Sequence, residues 1–229
     1  MEPKTARNQT RKLLAIDAIS GFAIGGATWV ALLAARGFST IEIGLLESIF
    51  HITSMVCEIP SGVIADVFGR RKTMVASRVM VILSSLLMVI STDFFTVALA
   101  IAVSALSYNL ASGTREALAY DSLKEANIEK EYDRFAANDL MIYQVFGSVG
   151  TLMAGVALLL GYQKANLVDA VVGIVTVLIA LTLTDVSTTL QGNTLVIARL
   201  SQVIRESSAF IKQNRRARLI ILFNSLIGA

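Results

Sequence analysis

Long, predominantly apolar stretches constrain this sequence more than any other feature. Crossing a bilayer as a helix takes about 20 mostly apolar residues, and the 229-residue chain contains six stretches of this kind. They lie at residues 13–35, 42–65, 73–92, 95–118, 138–162 and 166–185. Only 16% of the residues are charged, against about 25% in soluble domains. The sequence therefore predicts an all-α membrane protein with six transmembrane helices.

The positions of the basic residues predict how these helices are oriented. Sixteen of the twenty Lys and Arg residues fall in one set of segments, namely 1–12, 70–72, 121–134 and 187–218. The other connectors are short turns with few cations, at 36–37, 91–93 and 161–164. Short loops rich in Lys and Arg stay in the cytoplasm. We therefore expect a cytoplasmic N-terminus, and we interpret the mixed charges at 121–134 as a solvated inner loop.

The chain becomes polar after the sixth apolar stretch. Ile197 and Leu200 begin a helical repeat of apolar residues that is typical of an amphipathic helix on a membrane surface, with a solvated connector as the alternative. The last residues look like the beginning of a seventh span that is too short to cross. The predicted regions are a cytoplasmic tail (1–12), a six-helix region (13–185), a cytoplasmic linker with the amphipathic helix (186–218) and the start of a seventh helix (219–229).

The connector between the second and third spans has an unusual charge pattern, GVIADVFGRRKT. Its residues of interest are Gly62, Asp66, Gly69, Arg70, Arg71 and Lys72. The two glycines allow close helix approach and a tight turn. A basic inner loop can also be a topology signal and nothing more, so the pattern alone leaves a structural and a functional role open.

Ionisable side chains inside spans are candidates for function, because each costs about 2.5–3.5 kcal/mol to insert. The candidates for proton coupling or for lining a cavity are Asp17, Glu47, His51, Glu58, Arg115 and Glu116. The three on the second helix fall within about 40° of one face, and histidine titrates near neutral pH. The alternatives are that Glu47 lies at the outer interface with His51 packed in the core, and that the Arg115–Glu116 pair makes structural contacts.

A second group of polar and aromatic residues could line a substrate cavity, although such residues in spans more often serve packing. This group comprises Trp29, Tyr108, Asn109, Tyr143 and Gln144. With one histidine, one cysteine and no H-E-x-x-H motif, we expect no metal site, no cofactor and no enzymatic activity. A net charge of +3 gives no basis for binding nucleic acid.

The pattern G-x-x-x-D-x-x-G-R-R-K between a second and a third helix resembles the signature loop of the major facilitator superfamily. EIPSGVIAD (58–66) and SGTREALAYDSL (112–123) resemble the second and fourth helices of its bacterial members. The resemblance implies a 3+3 inverted repeat in the bacterial inner membrane. It also implies secondary active transport of a small molecule by alternating access. By the same resemblance the transport is coupled to protons, and drug efflux is one activity of this kind. Asp66 would then latch the two transporter halves together, with the glycines permitting close packing and Arg70 and Arg71 bracing the latch.

Transporters of this superfamily have two six-helix halves that enclose the substrate near the midplane. The resemblance therefore implies that this chain is a truncated N-terminal half, whose partner is either a C-terminal half or a second half-unit. Lipid, a small-molecule substrate and protons are its other expected partners. The alternative is a membrane scaffold or partner half-subunit that transports nothing.

Overall fold

A computed structural model describes residues 1–186 and the single residue Arg205. This part of the chain is helical and contains no strand. Its α-helices are α1 (Pro3–Ser20), α2 (Ile24–Ala27), α3 (Trp29–Ala35), α4 (Thr40–Phe68), α5 (Arg70–Ile90), α6 (Phe94–Ala111), α7 (Thr114–Glu125), α8 (Tyr132–Leu152), α9 (Ala154–Leu160) and α10 (Tyr162–Leu181), with a 3-10 turn at Glu129–Glu131. The predicted amphipathic helix and the start of the seventh helix lie outside the described residues.

Four stretches of the described chain are long and apolar enough to cross a membrane, namely Thr40–Phe68, Arg70–Ile90, Phe94–Glu125 and Tyr162–Leu181. A fifth candidate is the pair formed by α8 and α9, which is bent by 46° at its break. These five overlap the predicted stretches after the first one, with boundaries that differ by up to nine residues, the largest difference being at the start of the predicted 138–162. The all-helical prediction is confirmed, whereas the first predicted span is not a single helix.

The first predicted span, residues 13–35, is divided among three helices and forms no single long one. The break follows Ser20, and α2 is only four residues long. There the backbone amides of Gly25 and Gly26 donate to the carboxylate of Asp169 on α10, at 3.0 and 2.7 Å. A side chain from another helix thus accepts hydrogen bonds that a continuous helix would direct to its own carbonyls.

Local sequence signals explain where several of the helices begin. Ser39 and Glu42 form a reciprocal capping box at the start of α4, and Asp93 and Thr96 form one at the start of α6. The Thr96 amide holds the pKa of the Asp93 carboxyl below its usual range, because it stabilises the charged form. These caps keep the turns after α3 and α5 short.

Two glycines end helices with backbone angles that favour glycine. Gly69 separates α4 from α5 at a φ of 96°, and Gly113 separates α6 from α7 at a φ of 70°. The predicted role of Gly69 in a tight turn is consistent with this geometry. Gly113 explains why the predicted fourth span contains two helices.

Helix packing places α5 between α6 and α10, while α4 lies on α6 and α1 contacts α7, α8 and α10. A buried cluster that includes Leu13, Ile16, Met74, Leu118 and Phe135 joins α1, α5, α7 and α8. Between helices in a bilayer such packing is stabilised by van der Waals contact, because lipid tails are as apolar as these side chains. This packing fixes the polar groups that α1, α5, α7 and α8 carry between them.

The connectors gather at two ends of the helix bundle. At the end that we call the loop end, Arg7 pairs with Glu131 at 2.6 Å, and Lys12 donates to the carbonyl of Thr182 at 2.7 Å. At the other end, the turn end, Arg36 donates to the Ser91 carbonyl at 2.6 Å. Among the described residues, the basic segments 1–12 and 121–134 therefore lie at the end opposite to the short turns at 36–37 and 91–93.

The prediction of a solvated loop at 121–134 is wrong for its first part. Helix α7 continues to Glu125, and both Asp121 and Ser122 are buried. The physical reason is that their side chains have partners on other helices, because Asp121 pairs with Arg70 and Ser122 accepts from the Gln9 amide at 2.8 Å.

Candidate functional site

Arg70 holds the connector between α4 and α5 in place at the loop end. Its guanidinium pairs with the buried Asp121 of α7 and donates to the carbonyl of Ala117 at 2.9 Å. The Asp66 carboxylate lies 4.0 Å from the same guanidinium, and its side chain is 45% exposed. Arg70 is therefore shared by two acids, of which Asp121 is enclosed and Asp66 is accessible.

The neighbouring cations have different surroundings. Arg71 donates to the carbonyl of Leu181 at 2.7 Å, at the end of α10, where a cation complements the partial negative charge of the helix terminus. Lys72 is exposed. A Cβ on Gly62 would meet no described atom within 4 Å, so close packing at Gly62 stays a prediction.

A polar cleft of about 290 Å³ lies beside this connector. Glu58, Asp66 and Arg70 line it together with Asn109. The Asn109 side chain is fixed, since it donates to the Ser54 carbonyl at 2.8 Å and accepts from the Ser54 hydroxyl at 2.9 Å. The structure thus places two predicted site residues, Glu58 and Asn109, next to the signature connector.

The guanidinium of Arg115 pairs with three carboxylates, one each from α1, α7 and α8. Its guanidinium lies 2.8 Å from Asp17, 2.7 Å from Glu116 and 3.0 Å from Asp139. The Asp17 and Asp139 side chains are only 12% and 13% exposed. Within the described part of the chain, one buried oxygen of Glu116, one of Asp139 and the Arg115 Nε have no hydrogen-bond partner. Three acids on one guanidinium form a site whose charge balance depends on protonation.

A second arginine lies buried close to this cluster. Arg78 on α5 is 8% exposed and donates to the hydroxyls of Ser20 and Ser77, each at 3.2 Å. Ser20 is one helical turn from Asp17 on α1, so both arginines act on the same part of α1.

A cavity of about 340 Å³ opens nearer the turn end. Trp29, Glu47 and Asp169 line it, as do side chains of α5 and α6. Asp169 is 4% exposed, and both of its oxygens accept backbone amides from the broken first span. Two predicted residues line this cavity, namely Trp29 from the substrate-cavity group and Glu47 from the ionisable group.

The remaining predicted residues lie apart from these sites. His51 lies 3.1 Å from Glu47 on the surface of α4, with their side chains 70% and 48% exposed. The predicted face of three ionisable residues is divided, because Glu58 belongs to the cleft at the loop end. Tyr108 is 59% exposed, with its ring centroid 6.1 Å from that of Phe50.

Tyr143 and Gln144 are exposed on α8 and line neither of the two cavities. Arg78, Asp139 and Asp169 contribute charges to these sites and were not among the predicted residues. Each lies inside a predicted apolar stretch. The rule that ionisable residues within spans are functional candidates would have found all three.

Comparison with known proteins identifies a family whose members this chain is similar to. The model of the family described as Major Facilitator Superfamily matches residues 13–229. The inner membrane protein YqcE of Escherichia coli (strain K12) is 46% identical over 52 residues, which are 23% of this chain. The match spans only 12% of the length of that relative.

Proposed function

The chain belongs to the Major Facilitator Superfamily, and on that premise we propose that it is one half of a secondary active transporter that works by alternating access. It is an integral membrane protein of a family that moves small molecules across membranes. The observation that carries the proposal is the family match over residues 13–229. The name of the relative, an inner membrane protein, supports the bacterial inner membrane as its location.

The proposed architecture is a six-span half with a 3+3 repeat. In it, α1 to α3 together make a broken first span, and α8 with α9 makes a bent fifth span. The contact of Lys12 with the Thr182 carbonyl places the N-terminal segment and the end of α10 at the same end of the bundle, which supports an even number of crossings. We propose that the loop end, which holds the basic segments, faces the cytoplasm.

Asp66 is proposed as the latch that holds this half to its partner on the cytoplasmic side. Its support is the arrangement around Arg70, which stays anchored by Asp121 while Asp66 remains 45% exposed. An accessible carboxylate can reach a facing helix terminus on another half. Arg71 supports the same role, because its bond to Leu181 couples the connector to the end of α10.

Proton coupling is proposed for the cluster on Arg115. Protonation of Asp17 would remove one of three negative charges from around the guanidinium and weaken its hold on α1. Helix α1 would then be free to shift against α7. The Glu47–His51 pair is a second candidate, supported by its 3.1 Å contact.

The need for a partner is supported by polar side chains on exposed helix faces. Glu47 and His51 on α4 and Gln144 on α8 are exposed in the described part of the chain. Lipid contact would be costly for the charged side chains. We therefore propose that these faces adjoin a water-filled cavity or another half, which is either a C-terminal half or a second copy.

The experiment that tests this function uses the full chain, alone and together with the C-terminal half of a relative, reconstituted in liposomes that contain a pH-sensitive dye. A panel of small molecules is added outside, and a substrate is expected to drive a proton flux that Asp17→Asn abolishes. Asp185→Asn, an exposed acid outside these sites, is the control that should keep the flux. Chemical crosslinking of the same samples reports whether a second copy is present.

The alternative of a non-transporting scaffold or partner subunit predicts a different result. Insertion and folding would be normal, and no molecule in the panel would move protons or accumulate. That outcome, obtained both for the chain alone and for the chain with an added C-terminal half of a relative, would overturn the transport proposal.

A further inference from the structure

The turn-end cavity lies inside a single helix bundle, whereas the substrate of such a transporter is bound between halves. Its walls come from α2 to α6 and from α10. At about 340 Å³, it falls at the small end of the range for ligand sites, about 300–1,000 Å³. Its lining at the turn end includes Arg36, which follows α3, and Tyr162, the first residue of α10.

The charges on the cavity wall are predominantly negative. Glu47 enters it from α4 and Asp169 from α10. The lining also contains the guanidinium of Arg36, but that group is occupied, since it donates to the Ser91 carbonyl at 2.6 Å and lies 4.1 Å from the Tyr162 ring centroid. A ligand that enters the cavity therefore meets the enclosed carboxylate of Asp169 and the carboxylate of Glu47, one oxygen of which contacts His51 at 3.1 Å. The cation of Arg36 is already engaged.

Asp169 keeps acceptor capacity for a ligand. Its oxygens accept the backbone amides of Gly25 and Gly26, and the amide of Ile24 is a third hydrogen-bond partner. A carboxylate has about four acceptor positions in all, so one remains. Because the residue is 4% exposed, a positive charge beside it would be attracted with little screening by water.

Aromatic rings supply a second element that suits a cation. Trp29 and Phe50 line the cavity, and the face of an aromatic ring attracts ammonium groups, most strongly for tryptophan. The rest of the wall contains hydroxyls and apolar side chains from α5 and α6, such as Ser85, Met88 and Ser104. A ligand with a positive head and a compact apolar group would match these surroundings.

We propose that the turn-end cavity is a binding site for a small organic cation, a protonated or quaternary amine with a compact apolar group. Glu47 and Asp169 provide the opposite charge, and Trp29 provides a cation–π contact. The site requires neither a partner half nor a transport cycle, so it can exist even if the chain transports nothing.

Trp29 is the only tryptophan in the sequence, so its fluorescence reports on this cavity directly. The test titrates the purified full chain in detergent micelles with benzyltrimethylammonium at constant ionic strength. A saturable change in emission is expected. Benzyl alcohol and benzoate are the uncharged and anionic comparisons, and neither should give a saturable change.

Variants connect the signal to the named residues. Ser104→Phe fills the cavity without changing its charge and should abolish saturation, whereas Leu99→Phe, on the exposed face of the same helix, should not. Glu47→Gln removes one carboxylate and should weaken binding several-fold. Asp185→Asn is the matched acid-to-amide control and should leave the dissociation constant unchanged.

Asp169→Asn is expected to weaken binding by about tenfold or more, as for the loss of a buried charge partner. Asp169 also accepts the backbone amides at the break in the first span, so its loss can unfold the chain. The dissociation constant of this variant is therefore interpreted only if its circular dichroism spectrum shows that it is folded. Glu47→Gln and Ser104→Phe decide the question without it. A linear response to benzyltrimethylammonium, equal binding of benzyl alcohol, or an unchanged dissociation constant in both of these variants would overturn the proposal.

Discussion

The backbone amide of Gly25 donates to the carboxylate of Asp169 across 3.0 Å, joining the break after α1 to the middle of α10. A Cβ on Gly25 would lie 2.8 Å from the other carboxylate oxygen and 3.2 Å from a backbone atom of Ala165. Two features thus keep the first span in its broken form. Gly25 has no Cβ that would block the approach of α10, and Asp169 accepts the hydrogen bond from its amide.

Replacing Gly25 with alanine should destabilise the bundle, because the new methyl group pushes α2 away from α10. Overpacking of this kind costs about 1–3 kcal/mol, and the midpoint of unfolding by SDS in mixed micelles should fall accordingly. Gly44→Ala is the control, since a Cβ there meets no described atom within 4 Å. That substitution should be neutral or slightly stabilising, because alanine favours a helix over glycine by up to about 1 kcal/mol. Equal effects at both positions would contradict the role given to Gly25.

Arg115 and Asp139 should show strong energetic coupling. A double-mutant cycle with Arg115→Met and Asp139→Asn is expected to give a coupling energy of about 1–3 kcal/mol in the free energy of unfolding. That is the value typical of two residues in contact and enclosed by the protein. The single change Arg115→Met should be the more harmful, because it leaves three carboxylates without their shared cation. The measurement is again unfolding in mixed micelles.

The pair Arg7 and Glu131 provides the comparison for this cycle. Its atoms are as close, at 2.6 Å, but the two side chains are 52% and 38% exposed. Exposed pairs contribute little, because water screens them and both side chains lose freedom. A cycle with Arg7→Met and Glu131→Gln should therefore give a clearly smaller coupling, and a larger one would contradict the view that enclosure strengthens the Arg115 cluster.

The sequence alone is enough to predict the helical class and the location of five apolar helices, because those features depend on composition over about 20 residues. The division of residues 13–35 is not predictable in the same way. Its cause is the pairing of Gly25 with Asp169, which are 144 positions apart in the sequence. A single-sequence pattern contains no information about such a contact.

The candidate sites, too, depend on contacts between distant residues that the sequence pattern does not show. Asp17, Arg115 and Glu116 are each identifiable as ionisable residues in or near spans, but only the fold brings them to one place with Asp139. Conversely, Glu58 shares a predicted face with Glu47 and His51, yet the length of α4 puts it at the other end of the bundle. Helical periodicity gives the direction of a side chain and leaves its neighbours undetermined.

Substitutions at Asp121 and at Asp66 should affect different properties. The change at Asp121 should lower stability, and the change at Asp66 should slow transport. Asp121→Asn is expected to cost about 1–3 kcal/mol, since Asp121 is buried and pairs with Arg70. Asp66→Asn should change stability by less than about 0.5 kcal/mol, as for other exposed positions. In a chain assembled with its partner half, Asp66→Asn should nevertheless slow transport. Unchanged uptake or efflux rates in that variant would remove the latch role.

The orientation of the bundle can be tested with single cysteines, because Cys57 is the only native one. In a Cys57→Ser background, Lys164→Cys places a thiol at the turn end and Lys130→Cys places one at the loop end, and both positions are exposed. The excess of Lys and Arg at the loop end favours its retention in the cytoplasm. A membrane-impermeant maleimide added to intact cells should therefore label residue 164 and should reach residue 130 only after permeabilisation. The opposite pattern would reverse the proposed orientation, and labelling of both positions in intact cells would contradict a single fixed one.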